Sequence, residues 1–493
     1  MNLTLLIVVP FLTAIAILFC KGLKQVRTIS LAGAVLQLAT VIFLLVAYQQ
    51  QASGDGHFLF ESNVMWFKPL NINYHVGVDG ISLAMIMLTA LVVLAGTLVS
   101  WNTERLNKEF FFLLALLSTG AYGFFISLDL FTMFFFLEVA VVPKFLLIGI
   151  WGSGKKEYSA MKLALMLMGG SALVFIGLTG IYFHTNTFDI VQIAGMQIPL
   201  VVQKTFFPFA FIGFGIFTAL FPFHTWVPDG HSSAPTAASM FLAGISMKLG
   251  GYGCLRVATY LMPDAAHSYS WIIILLATIA IIYGAFATMM QTDLKYINAY
   301  SSVSHCGFVL LGIGMLTKTS VNGAVLQMVS HGLMTALFFA AIGMIYSRTH
   351  TRQVAQLGGL LKVTPFISTV FIIAGLCSLG LPGFSGFVAE MTVFMGSWQN
   401  PDGWYRFATI LACASIVVTA VYILRATGKS IMGPLHVTHN QLTDATWNEK
   451  LAAGVLITGI VIMGLAPFLI TKLITPSTDV IMNKVLTIVT IQK

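Results

Sequence analysis

The chain has 493 residues, of which 58% are hydrophobic and 9% charged, with a formal net charge of +8. Soluble proteins carry about 25% charged residues, so this composition excludes a string of soluble domains and describes a polytopic helical protein resident in lipid. The basic residues are scattered between apolar runs and form no patch. They read as loop charges that orient the chain in a bilayer, not as a nucleic-acid surface.

In chain order, apolar runs predict fourteen spans: 2–20, 28–48, 77–100, 110–128, 130–151, 159–184, 206–228, 236–262, 270–292, 296–316, 321–347, 363–397, 404–430 and 450–472. The first has no basic residues ahead of it and no small-residue cleavage site, so it reads as a span and not as a signal peptide. Lys21, Lys24 and Arg27 follow it and place that loop inside, with both termini outside. On that alternation fifteen Lys/Arg fall inside and seven outside (Lys68, Lys204, Lys318, Arg406, Lys472, Lys484 and Lys493), the bias expected of a multi-pass membrane protein. Arg256, near the outer end of the eighth span, is expected to snorkel to that face. The five cysteines contain no C-x-x-C pair and point to neither a metal nor a disulfide.

Two spans are interrupted, one around Pro222–Pro228 and one around GLPGFSG at 380–386. Paired Gly/Pro-interrupted helices in corresponding positions mark membrane carriers built from internal repeats. The breaks are five helices apart, and five is odd, so the second unit enters the membrane from the opposite side. The fold class expected is therefore all-α and polytopic, with two inverted five-helix repeats. N-terminal helices one to three (1–109) precede a first repeat of helices four to eight (110–262). A second repeat of helices nine to thirteen (263–430) follows, then helix fourteen and a tail (431–493).

Ionisable residues inside spans are costly and normally functional. Glu138 lies mid-span in LFTMFFFLEVAVVPKFLLIGIW, with Lys144 six residues on. On a helix the two diverge by about 120° and about 9 Å along the axis, so they are not an ideal pair, although Pro143 between them can bend the helix. Lys248, His305, His331 and Glu390 follow, each on a different span. The row suits stepwise proton transfer, because burial and neighbouring charge can poise each group to take and release a proton. The bland alternatives are that His305 and His331, each beside a serine, join helices by hydrogen bonds, and that a buried Glu–Lys pair is packing. His224, Asp229 and His231 read as loop structuring or capping, Lys295 as an ion pair with Asp293, and Glu157 as solvated. No phosphate loop, dinucleotide fingerprint or cluster-binding cysteine set occurs.

FFFLEVAVVP, FPFHTWVPDGHSSAPTAASMFLAGISMKLGGYG, QTDLKYINAYSSVSHCGFV, VSHGLMTALFF and GLPGFSGFVAE stand in this order. Through them the chain resembles the antiporter-like membrane subunits of respiratory complex I, of the subunit M or chain 4 type. The resemblance implies a proton-translocating subunit of an NADH–quinone oxidoreductase whose proton path holds Glu138, Lys248, His305, His331 and Glu390. It implies no cofactor in this chain, with NADH, FMN, iron–sulfur clusters and quinone in partner subunits. Antiporter-like neighbours on both sides and a bacterial inner membrane are expected. An Mrp-type cation/proton antiporter or a membrane-bound hydrogenase subunit is the alternative. The family places a lysine where this chain has Phe217, and Lys144 is not the usual residue at its own position. Lys144 is therefore expected to replace the missing lysine as partner of Glu138.

Overall fold

The computed structural model describes residues 2–52, 54–436 and 439–491, without side chains beyond 486; Lys493 lies outside them. Helices α1 (Leu5–Leu18) and α2 (Leu23–Gln51) precede a hairpin of β1 (Leu59–Phe67) and β2 (Ile72–Val78). Then come α3 (Gly80–Val99), α4 (Asn107–Ile126), α5 (Leu130–Trp151), α6 (Lys156–Thr185) and the short α7 (Ile190–Gly195). Helix α8 (Leu200–Phe217) breaks before α9 (Trp226–Ser233). Helices α10 (Thr236–Phe241) and α11 (Met247–Gly253) form one rod with π-helical turns at Leu242–Ser246 and Cys254–Thr259. The chain continues through α12 (Pro263–Met289), α13 (Leu294–Gly314), α14 (Lys318–Thr349) and a second broken pair, α15 (Pro365–Ser378) and α16 (Ser385–Trp398). It closes with α17 (Gly403–Ser430), α18 (Trp447–Leu465) and α19 (Phe468–Ile491). With each broken pair and the π-containing rod counted once, fourteen spans stand where the apolar runs placed them.

Aspartates and threonines in the loops start the helices by accepting from their orphan N–H groups. Asp79 caps α3, Asp129 caps α5, Asp189 caps α7 and Asp293 caps α13. Capping boxes at Thr317 and Thr446 start α14 and α18. The most buried spans are α14 and α3, the posts around which the rest packs. The outer helices turn large apolar side chains outward, such as Phe43, Leu165, Phe183 and Val417, as a lipid solvent permits.

Each half carries the same small device. Between α5 and α6, Leu130 N donates to Phe188 O and Ile190 N to Leu128 O, both at 2.8 Å. Between α13 and α14, Leu294 N donates to Arg352 O at 3.0 Å and Val354 N to Thr292 O at 2.9 Å. The first bridge lies on the hairpin face, where Ser127 pairs with Val76 of β2. The second lies on the opposite face, beside Ser232, whose carbonyl accepts from Arg352 at 2.7 Å. Corresponding helices thus meet at opposite faces, as inversion requires.

The helical architecture expected from the apolar runs holds, with one addition: β1 and β2 form an antiparallel hairpin outside the helix layer, where no long apolar run could announce it. Three expectations change. The first break centres on residues 218–225, and Pro228 sits inside the first turn of α9, where its missing N–H costs nothing. The last span ends at Leu465, after which α19 turns along the hairpin face. There it packs on α3, α12 and α14, and Lys484 donates to Ala194 O at 2.8 Å. Arg256 does not snorkel: it is buried and paired with Asp79, between the rings of Phe58 and Tyr252.

Candidate functional site

Both π-helical turns fall in the rod that bears Lys248, and such turns widen a helix at a cost usually tolerated at working sites. The Lys248 ammonium, 1% exposed, donates to the carbonyl of Ala243, five residues back, and lies 2.8 Å from His331 Nδ1. That bond, assigned from the hydrogen-bond network, makes Nδ1 the acceptor and leaves the proton of neutral His331 on Nε2. The His331 ring stacks on His305 with centroids 5.3 Å apart. His305 Nδ1 lies 3.2 Å from Glu390 Oε1 and 3.3 Å from the Gln327 amide nitrogen, while its Nε2 lies 3.0 Å from the Ser378 hydroxyl. Its Nδ1 therefore has two settings. Neutral His305 accepts from Gln327, and protonated His305 donates to Glu390.

Glu390 is reached because the turn between α15 and α16 closes over it. Gly380 has φ +72, and a Cβ there would stand 2.8 Å from Glu390 Oε2. Only glycine accommodates both the backbone and the approach. Lys248, His331, His305 and Glu390 thus form one buried chain of side chains across four helices.

Glu138 and Lys144 stand apart from it. Glu138 is half-buried and accepts from the Ser171 hydroxyl of α6. Lys144 is fully buried, its Nζ has no hydrogen-bond partner among the described residues, and it lies 5.9 Å from the centroid of the Phe217 ring. The lysine of α5 thus faces Phe217 of α8. Phe217 adjoins Thr218, whose backbone abuts Gly250 of α11 so closely that a Cβ on that glycine would stand 2.6 Å from Thr218 N. That contact joins the Lys144 region to the helix of Lys248.

The serines beside the histidines take the helix-joining role: Ser330 bonds Ser385 at 2.8 Å and Ser304 bonds the Ile281 carbonyl at 2.9 Å. The imidazoles are left to the chain. Beside it, on the opposite face from the hairpin, lies a second cluster. His231 is sandwiched between Trp226 and Phe339, with neither ring nitrogen bonded among the described residues. Lys295 is buried and donates to the Ala234 carbonyl at 2.6 Å, while Asp293 pairs instead with Arg352 at 3.2 Å. Asp229 pairs with Lys162 at 2.7 Å, and His224 stacks on Phe221 and meets Tyr283 edge-on. The partners Ser171, Gln327 and Ser378 had no signal in the sequence, since each meets its group from another helix. No cluster of three or more potential ligands for a metal ion occurs among the described residues.

These features define a multi-pass membrane protein with a buried row of titratable side chains. Residues 127–418 match the family described as NADH:quinone oxidoreductase/Mrp antiporter, transmembrane, and the chain belongs to that family. It is 35% identical to NAD(P)H-quinone oxidoreductase chain 4-1 of Synechocystis sp., over 96% of this chain and 92% of that one. It is also 35% identical to NADH-quinone oxidoreductase subunit M of Rickettsia bellii, over 90% of each. Its fold matches a chain of respiratory complex I from Thermus thermophilus, solved with bound NADH, at a TM-score of 0.90 and 23% identity over 98% and 99% of the two chains. A chain of the Mrp complex from Dietzia sp. matches at 0.85 and 20% over the same shares.

Proposed function

We propose that the chain is a proton-translocating, antiporter-like subunit of an NADH–quinone oxidoreductase, coupling electron transfer in partner subunits to proton movement across a bacterial inner membrane. The observation that supports this best is the chain Lys248–His331–His305–Glu390. NADH, FMN, iron–sulfur clusters and quinone belong to the partners, and other antiporter-like subunits flank this one. Residues 110–262 and 263–430 act as the two inverted repeats, and the hairpin face is the outside.

A proton held by the Lys248 ammonium passes along its bond to His331 Nδ1, and the imidazolium gives up the Nε2 proton. The two rings are stacked without a direct N–N bond, so the proton crosses by ring rotation or through one bridging water. It reaches His305, whose Nδ1, until then an acceptor from the Gln327 amide, becomes N–H and donates to Glu390, and it leaves from the carboxyl toward the hairpin face. Lys144 acts on this path by charge. Charges in a low-dielectric interior interact far more strongly than in water, so gain or loss of a proton there changes the cost of a second cation at Lys248. Glu138, held by Ser171, sets whether Lys144 is balanced. His231 and Lys295 stand between the opposite face and Lys248 as the entry side.

The test is proton pumping measured against electron transfer in vesicles carrying the assembled complex with Lys248→Ala. Loss of both with assembly intact is expected. Full pumping by that variant would leave the buried charges as helix-locking scaffold and sink the proposal.

A further inference from the structure

Beside the proton row, an apolar cleft of about 720 Å³ opens on the lipid flank between α2, α3 and α18, with Val329 and Leu333 of α14 at its back. Leu45, Met87, Leu91, Val455 and Met463 are typical of its walls, and it follows α18 from Lys450 past Ala466. Helix α18 has 19 residues, about 28 Å at 1.5 Å per residue, so the cleft runs nearly the depth of a hydrocarbon core of about 30 Å. At the hairpin face Gln49, Leu469 and Leu473 are shared with a second cavity of about 390 Å³ whose lining includes Tyr48, Asp55, His57 and Lys472. Apolar cleft and mixed polar cavity adjoin through these shared residues.

We propose that this site holds an anionic phospholipid of the hairpin-side leaflet, its acyl chains along α18 and its phosphate at Lys472. Shape argues for an amphiphile. Its walls are apolar along α18, and the cavity at the hairpin end adds Asp55, His57 and Lys472. Charge argues for an anion. The carboxylates near Lys472 have other neighbours: Asp55 lies 3.9 Å from His57, and Asp479 pairs with Lys318 at 3.4 Å. Lys472 is exposed and in no ion pair among the described residues. Position argues the same way. Helix α19, with Phe468 and Leu469 exposed beside Lys472, lies along the face where an amphipathic helix meets headgroups.

Gly454 lines the cleft, and a Cβ added there meets nothing within 4 Å, so Gly454→Leu fills the space without striking protein. The assembled complex, with p-benzoylphenylalanine replacing the half-exposed Ile462 of the wall, is irradiated in phosphatidylcholine vesicles containing phosphatidylglycerol. The expected adduct has the mass of phosphatidylglycerol, enriched over its share of the vesicle. Gly454→Leu removes most of it. Lys472→Gln keeps a lipid adduct but lowers the phosphatidylglycerol preference roughly fivefold, the weight of one lysine at an anionic surface. A polypeptide adduct, or lipid captured only in proportion to the vesicle, overturns the proposal. Should Gly454→Leu not assemble, the cross-link in the otherwise unaltered chain decides alone.

Discussion

The two halves of the row are built differently. Lys248, His331, His305 and Glu390 are each within hydrogen-bond or stacking reach of the next. Glu138 and Lys144 share one helix, make no ion pair within 4.0 Å, and are held respectively by a serine and an aromatic ring. The first arrangement can pass a proton along bonds already present at both ends, with one crossing between the stacked rings. The second can hold charge and change the field, and nothing in its geometry carries a proton onward. Connectivity therefore separates carriers from a modulator better than residue type does, since each half contains a glutamate and a lysine.

That contrast can be broken most directly at its connected end. Glu390→Gln leaves the shape of the site but removes the acceptor for His305, and pumping in reconstituted vesicles should fall on the order of 10²-fold, as for loss of a proton-transfer group. A near-normal rate would place the exit elsewhere. At the isolated end, Lys144→Met should lower coupled pumping roughly tenfold, the scale of one lost coupling between contacting groups. Adding Phe217→Lys in the same chain should restore most of it, because the new lysine would arrive where the old ammonium lies. If the double variant pumps no better than Lys144→Met, the position of the charge matters less than the helix that bears it.

The smallest expected effect lies outside the membrane, where His75 of β2 is held by Asp189 at 2.9 Å and Glu61 at 3.0 Å. Burial pushes the His75 pKa down, but bonds and charge from the two carboxylates outweigh it and hold the group above the ordinary histidine value. Burial raises Asp189, yet His75 and the N–H groups of Val191 and Gln192 bring it below the usual carboxylate range. The raised histidine contributes fully below its unfolded value of about 6.5 and is lost as pH rises through the folded value. The lowered aspartate contributes above its unfolded value of about 3.9 and is lost as pH falls through the folded value. The hairpin clasp is thus tightest between about pH 4 and 6.5. Hydrogen exchange of the β2 amides, corrected for intrinsic rate, should be slowest in that window, and His75→Asn should flatten the alkaline limb. Protection independent of pH in the unaltered chain would show that the clasp does not hold the hairpin.

The sequence made the row legible because each member is a lone ionisable residue in an apolar run, and lipid tolerates few of those. It could not show that Lys248 meets His331 or that Ser171 serves Glu138, since such contacts join residues far apart in the chain. Phe217 stood out only through the resemblance, and the Lys144 ammonium lies 5.9 Å from the centroid of its ring. Arg256 was misjudged for a related reason. Its position near a span end suggested escape to the surface, but its partner Asp79 lies 177 positions away. The hairpin was missed because its strands border water and lack the long apolar run that betrays a span.

Helix α19 gives the bundle a mechanical asymmetry. On the hairpin face it ties α3, α12 and α14 together by close backbone packing, with Leu473 O filling the space a Cβ on Gly80 would need. On the other face, bonds between the halves include those from Lys295 to Ala234 O and from Arg352 to Ser232 O, single side-chain bonds that can open one at a time. A body strapped along one edge and buttoned along the other behaves as a clamshell. Any rocking of the halves would pivot at the strap, so the gap admitting water would widen beside His231 and Lys295 while the edge near α19 stays shut.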